Sequence, residues 1–198
     1  AGDRSQEFAQ RCAGKTYQEI ASEGGGILTT VNATRKASSG LLENLAKERI
    51  LEAYSYGTRT LEIKTGYGLN WKSELKLLQV IQSMKKKFSN LTLVSTFLGA
   101  HAIPKDCTHE KYFNLILKKM LPQLSRKKLV DHCDVFVDKG YFSRKEGEMI
   151  LKKAKSLGFP VKIHADELTN TESALMAAQC GALSADHLLK ISTKGIRA

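Results

Sequence analysis

Residues 161–168 read V-K-I-H-A-D-E-L, a short β-branched run that ends in polar and charged side chains. The run is typical of a buried strand. It follows an amphipathic stretch that closes with Gly158 and Pro160, residues that are common just beyond a helix. The segment is therefore predicted to be a helix, a turn and a strand with polar residues at its carboxyl end, and this unit recurs along the chain.

Five strand-like runs alternate with five helical patterns. The runs lie at residues 60–64, 91–98, 133–137, 161–164 and 182–186, and the helical patterns at 41–56, 72–88, 109–124, 143–157 and 170–180. Ser143 and Asn170 are predicted N-caps, with Glu146 completing a capping box, and Gly57 and Gly181 follow helices. Because strands that alternate with helices pair in parallel, the sequence predicts a single α/β domain over residues 1–198.

The region before the first strand, residues 5–38, is predicted to be helical or looped. It contains three consecutive glycines, Gly24, Gly25 and Gly26. A phosphate-binding loop is weakly indicated, because no strand precedes the glycines and no Lys-Ser/Thr pair follows them. The favoured interpretation is a tight turn before a helix that starts near Ile27.

Composition excludes several classes of protein. The chain has 198 residues, of which 42% are hydrophobic and 26% charged, so it is predicted to be globular rather than disordered. It contains no run of the roughly 18 to 20 apolar residues that a membrane span needs. It begins without Met or a signal pattern, which predicts a soluble chain that starts partway through a longer sequence. Its four cysteines form no C-x-x-C pair, which favours a reducing cytoplasm.

The chain is strongly basic. Lys and Arg outnumber Asp and Glu by 31 to 20, a net charge of +11. A nucleic acid or an acidic protein is one partner that this charge fits. However, the basic clusters lie on the polar side or at the end of helical patterns, without interleaved aromatics, at residues 85–87, 118–119, 126–128 and 152–155. We therefore predict solvated helix faces and neither a nucleic acid nor a membrane as partner.

Polar residues follow nearly every predicted strand. Three of the five histidines, His101, His164 and His187, lie at strand ends, with Glu167 and Asp186 beside them. The carboxyl ends of parallel strands are where ligands and catalytic groups collect. Imidazoles with carboxylates form the ligand, proton shuttle and charge stabiliser of metal hydrolases. The other two histidines, at positions 109 and 132, are predicted to be structural or exposed.

Six segments carry a resemblance to a known family. They are A-G-D-R (1–4), G-G-G-I-L-T-T-V-N-A-T-R (24–35), E-I-K-T-G-Y-G-L (62–69), T-F-L-G-A-H-A-I-P (96–104), V-K-I-H-A-D-E-L (161–168) and A-L-S-A-D-H-L (182–188). In this order and spacing the chain resembles the imidazolonepropionase family of the amidohydrolase superfamily.

The resemblance implies a fold and a reaction. The fold is a metal-dependent (β/α)8 TIM-like barrel of which this chain supplies strands two to six. The reaction is hydrolysis of the cyclic amide bond of 4-imidazolone-5-propanoate to N-formimidoyl-glutamate, a step of histidine degradation. The implied cofactor is one zinc or iron ion in each active site, and the implied assembly is a homodimer in the cytoplasm.

The resemblance also implies roles for individual residues. His164 is a metal ligand, Glu167 the acid/base, and His187 the group that polarises the carbonyl oxygen. Three further residues hold the propionate and the ring of the substrate: Arg4, Tyr67 and His101. A carbamylated Lys139 is not expected, because the family uses one metal.

The His-x-His pair and the aspartate that complete the metal site in the family have no counterpart in residues 1–198. The chain alone is therefore expected to be inactive and marginally stable, with two open sheet edges. Two alternatives remain. One is another amidohydrolase that acts on a cyclic amide or amidine, such as a deaminase, although T-G-Y-G-L and G-A-H-A-I-P favour the imidazolone reaction. The other is a basic binding domain without catalysis, which a steep salt dependence of binding would reveal.

Overall fold

A computed structural model describes residues 2–16, 19–20 and 23–198. Five strands are present: β1 Thr60–Lys64, β2 Thr92–Ala100, β3 His132–Val137, β4 Lys162–Ala165 and β5 Ser184–His187. The described helices are α1 Ser5–Cys12, α2 Ile27–Lys36, α3 Ser39–Ser55, α4 Trp71–Lys87, α5 His109–Leu115, α6 Leu121–Lys127, α7 Arg144–Ser156, α8 Ser173–Cys180 and α9 Thr193–Ile196, and a π-helical segment, Ile116–Met120, joins α5 to α6. The first residue of the A-G-D-R motif and four positions of the predicted N-terminal region, 17, 18, 21 and 22, lie outside the described residues.

The five strands form one parallel sheet in the order β1-β2-β3-β4-β5, which confirms the predicted alternation of strands and helices. The sheet is strongly curled. Lys64 on β1 donates from Nζ to Oδ2 of Asp186 on β5 over 2.6 Å, whereas the two strands of a flat sheet would lie about 19 Å apart at the usual spacing of about 4.8 Å. The sheet is therefore a half-barrel, consistent with part of a TIM-like barrel.

The two faces of the sheet differ in chemistry because side chains alternate along each strand. On β3, Cys133, Val135 and Val137 are buried in the main hydrophobic core, together with residues of the helices such as Ile150 of α7. The residues between them, beginning with Asp134, point to the inside of the curl. Helices thus cover the outer face, and the inner face carries polar side chains such as Asp134 together with a few apolar ones such as Phe136.

Most predicted helix ends are confirmed, and one is wrong. Ser143 and Glu146 form the predicted capping box at α7, and α2 begins at Ile27 directly after the glycine turn. Asn170, however, is not the N-cap of α8, which begins at Ser173. The carboxylate of Asp166 accepts hydrogen bonds from the amides of Ser173 and Ala174 at the start of this helix. Asp166 therefore caps the helix, although it lies in the preceding loop and not next to the first turn.

The ends of the sheet are β1 and β5, and each pairs with a single neighbour among the described residues. Leu183, Leu189 and Ile196 around β5 are largely exposed. This matches the two open edges predicted for the chain, and its marginal stability stays a prediction. In the described part of the chain, no helix combines the length and apolar character of a membrane span.

Candidate active site

The curled sheet encloses a cavity of about 410 Å³ at the carboxyl ends of its strands. All six residues proposed from sequence as site residues line it: Arg4, Tyr67, His101, His164, Glu167 and His187. The other residues of its wall include Lys64, Phe136, Tyr141 and Arg11. The predicted residues therefore come together from positions far apart in sequence.

The strand ends position these side chains. His101 follows β2 directly, His164 lies within β4, and His187 is the last residue of β5. The backbone turns sharply at two of these ends, since Asp166 and His187 have φ values of 48° and 73°. A non-glycine residue in the left-handed region carries a small strain, and such residues concentrate at functional sites.

Imidazole rings lie close together inside the cavity. The centroids of His164 and His187 are 5.2 Å apart, and those of His164 and His101 are 6.2 Å apart. Nε2 of His187 lies 3.3 Å from Oε2 of Glu167. A carboxylate within reach of an imidazole, beside a second imidazole, can move a proton to or from a bound molecule.

A buried ion network supports His164. Asp134 on β3 is fully buried, and its Oδ1 lies 3.1 Å from Nδ1 of His164. Its Oδ2 accepts a hydrogen bond of 2.9 Å from Nζ of Lys64, which also binds Asp186. Burial would raise the pKa of the Asp134 carboxyl, but the hydrogen bond and charge of His164 and the charge of Lys64 lower it below its usual range. Asp134 is therefore held as a carboxylate.

Asp134, His164 and Asp186 could in principle hold a metal ion among themselves, because ligand atoms of all three lie within 4.8 Å of one another. Lys64 already donates to both carboxylates, so a cation would have to displace its ammonium group from them. His164 does fit one. Asp134 engages its Nδ1, and in the part of the chain that the structure describes no hydrogen bond engages its Nε2. A carboxylate on one ring nitrogen with the other left free is the usual arrangement of a metal-ligating histidine.

His101 is held neutral. Burial and the nearby charge of His164 lower its pKa to about 4, although a contact of its Nδ1 with the carbonyl of Gly66, at 3.2 Å, works against this. A neutral imidazole can hydrogen-bond a ligand near pH 7 without adding a charge.

The loop after β4, which carries Glu167, is fixed by two carboxylates. Asp166 accepts from the amide of Thr171 at 2.8 Å. Asp138, at the end of β3, accepts from the amides of Leu168 and Thr169 at 2.7 and 3.1 Å. Both acids are buried and engaged with backbone, so they shape the loop while Glu167 faces the cavity.

Sequence reasoning missed the network behind the site. Asp134 is the charged residue in an otherwise apolar strand, C-D-V-F-V, and a charge at such a position indicates a buried polar partner. Lys64 ends the run T-L-E-I-K, and nothing in that run indicates its partners. The other histidines lie outside the cavity as predicted: His109 contacts Glu146 at 2.8 Å, and His132 leaves a buried Nδ1 without a partner among the described residues.

The ion network gives a stability prediction. Substituting Lys64 by Met keeps an unbranched side chain of nearly the same length but leaves the fully buried Asp134 without its lysine partner. Breaking a buried ion pair from one side typically costs about 3 to 5 kcal/mol, and since Lys64 is about one-fifth exposed we expect the lower end of that range. The unfolding free energy from denaturant titration measures this. The matched control is Lys152→Met, which removes an exposed pair with Glu148 and should leave the unfolding free energy close to that of the wild type. Equal losses in the two variants would contradict the network.

Comparisons with known proteins give one consistent result. The imidazolonepropionase of Symbiobacterium thermophilum is 47% identical over 99% of the chain, that of Clostridium tetani is 43% identical over 100%, and that of Bdellovibrio bacteriovorus is 44% identical over 100%. The predicted resemblance to imidazolonepropionases is confirmed. The chain spans about half the length of these relatives, covering 47%, 47% and 46% of them. No protein-family model matches the chain.

The aligned region covers 99 to 100% of the chain, and the cavity lies within that region. The segments that carried the resemblance converge there: T-G-Y-G-L brings Tyr67, G-A-H-A-I-P brings His101, and H-A-D-E brings His164 and Glu167.

Proposed function

We propose that the protein containing this chain is a metal-dependent hydrolase that opens the ring of 4-imidazolone-5-propanoate to give N-formimidoyl-glutamate. The observation that carries this proposal is the convergence of the six predicted site residues on one cavity. The names of the relatives agree with it. The cytoplasmic location and the homodimer stay predictions.

The fold supports a larger barrel. We propose that β1 to β5 are strands two to six of the amidohydrolase (β/α)8 barrel, with the remaining strands pairing at the free edges of β1 and β5. A curled parallel sheet that keeps its catalytic groups at the carboxyl ends is what such a barrel requires. In the reading frame that contains this chain, we expect a His-x-His pair shortly before Ala1 and a segment with an aspartate ligand beyond Ala198.

His164 is the residue of this chain that would hold the metal, which is one zinc or iron ion. Its Nε2 is the free donor, and Asp134 fixes the ring through Nδ1. The chemistry supplied by such an ion, when bound, is to make a water molecule acidic enough to attack at neutral pH. Neutral imidazole is a suitable donor for either metal.

The other side chains divide the remaining work. Glu167 takes the proton of the attacking water and returns it to the ring nitrogen that leaves. His187, 3.3 Å from Glu167, stabilises the negative charge that develops on the carbonyl oxygen during attack. Tyr67, in the loop after β1, and the neutral His101, directly after β2, border the cavity and hold the ring.

Arg4 is the proposed partner of the propionate. It lines the cavity from the start of α1, where Glu7 accepts a hydrogen bond from its Nε at 2.8 Å. A guanidinium positioned in this way presents its remaining N–H groups to a carboxylate in a fork.

The proposal is tested with Arg4→Ala in the full-length protein. If Arg4 binds the propionate equally in the ground and transition states, KM should rise by about 10-fold or more while kcat stays within about 3-fold. For an imidazolone substrate whose propionate is replaced by a methyl group, wild type and variant should behave alike. The control is Arg59→Ala, which removes the same charge from a residue stacked on Tyr54 before β1. A wild-type enzyme that prefers the methyl analogue would overturn the substrate assignment.

A further inference from the structure

The loop between β1 and α4, residues 65–69, is built around a buried glutamate. Glu74 of α4 is fully buried. Its Oε2 accepts from the amide of Gly66 at 3.0 Å, and its Oε1 accepts from the amides of Gly68 and Leu69 at 2.7 and 2.9 Å. No lysine or arginine pairs directly with this carboxylate in the described part of the chain. Because an isolated buried charge is costly, these three backbone donors must compensate for it.

Close packing fixes the path of the same loop. Gly66 has a φ of 96°, and a Cβ there would lie 2.4 Å from the carbonyl oxygen of Leu98. A Cβ on Gly68 would lie 2.6 Å from the amide nitrogen of Glu74. The loop therefore lies directly on β2 and on the first turn of α4, and its glycines are required by contact.

Arg35 of α2 holds the other side of the loop. Its guanidinium donates to the carbonyls of Gly68 and Leu69 at 2.7 and 3.1 Å, and Asp106 accepts from it at 2.8 Å. The amides of the loop thus bind a carboxylate, and its carbonyls bind a guanidinium. Both sets of backbone groups are satisfied in one conformation.

This loop presents two residues to the cavity. Tyr67 lies within it, and the ring of Tyr67 meets the ring of His101 edge to face, with centroids 5.1 Å apart. Nδ1 of His101 lies 3.2 Å from the carbonyl oxygen of Gly66. A shift of the backbone at residues 66–68 would therefore move both side chains.

We propose that Glu74 is a positioning residue for substrate binding, which acts through the backbone of residues 65–69 on Tyr67 and His101. It lies outside the lining of the cavity and takes no part in proton transfer. The role in substrate binding rests on the proposed function, whereas the control of the loop does not.

The experiment combines hydrogen exchange with kinetics on the full-length protein. In Glu74→Gln the side chain keeps its shape but turns an N–H₂ group towards backbone donors. We expect exchange of the amides at residues 65–69 to become at least about tenfold faster, while exchange in the strands β2 to β5 stays unchanged. KM for the imidazolone substrate should rise about tenfold, with kcat within about 3-fold and the pH profile of kcat unaltered.

Two further variants keep the test sharp. Asp138→Asn removes a buried carboxylate that holds the loop after β4 instead, so it should speed exchange near Leu168 and leave residues 65–69 protected. Arg35→Met removes the guanidinium that binds the carbonyls of Gly68 and Leu69, so it should also speed exchange at residues 65–69. Because Arg35 is partly exposed, this variant replaces Glu74→Gln if that protein does not fold.

Unchanged exchange at residues 65–69 in Glu74→Gln would overturn the inference, whatever the enzyme does. Faster exchange with an unchanged KM would overturn the positioning role. Failure of the proposed function looks different, because the wild type would then open no imidazolone ring, and the exchange result would still decide whether Glu74 controls the loop.

Discussion

Substituting Glu167 by Gln in the full-length protein is expected to lower kcat by about 10²-fold or more, equivalent to about 2.7 kcal/mol or more of transition-state stabilisation. The amide keeps the size and the reach of the carboxylate towards His187, but it cannot accept a proton. The metal content of the purified variant should be unchanged, because Glu167 is not assigned as a ligand. Steady-state kinetics and elemental analysis measure the two quantities.

Glu172 provides the matched control. It follows the same loop, is bound by Arg144 and Lys194 outside the cavity, and Glu172→Gln should leave kcat within about twofold. Loss of metal in Glu167→Gln would make Glu167 a ligand instead, and full activity would remove it from the reaction.

Substituting His164 by Ala is expected to remove metal and turnover together. Substituting a residue that merely orients a metal ligand typically weakens metal binding by 10- to 100-fold. Removing the ligand itself should therefore weaken metal binding by more than about 10²-fold. Metal content should fall well below one ion per chain, and adding metal should not restore activity. Metal titration followed by assay checks both.

His109→Ala is the control for this variant, because His109 is a histidine bound to a carboxylate, Glu146, outside the cavity. It should retain its metal. A His164→Ala protein with normal metal occupancy and normal turnover would contradict the assignment of His164.

Much of the fold could be predicted because its signals are local. The run T-L-E-I-K predicts β1 to the residue, and the capping box at Ser143 marks the start of α7. The start of α8 could not be predicted, because Asp166 caps it from a separate segment. The π-helical segment at Ile116–Met120 was also missed, since its apolar spacing there resembles that of an α-helix.

In the candidate site, the cavity residues could be predicted from the sequence but their partners could not. Residues at strand ends, such as His164 and His187, were predictable, since parallel strands bring their carboxyl ends together. The partners of these residues were not. Lys64 and Asp186 are far apart in sequence, and only the curl of the sheet makes them neighbours. Glu74 looked like an ordinary helix residue, because three backbone amides give no sequence signal.

The most direct test of the proposed reaction is the product formed by the full-length protein from 4-imidazolone-5-propanoate in oxygen-18 water. We expect N-formimidoyl-glutamate, heavier than the substrate by one water molecule, with the label in the new carboxylate and no ammonia released. Release of ammonia would point to a deaminase, and unchanged substrate with the metal bound would contradict the proposed reaction.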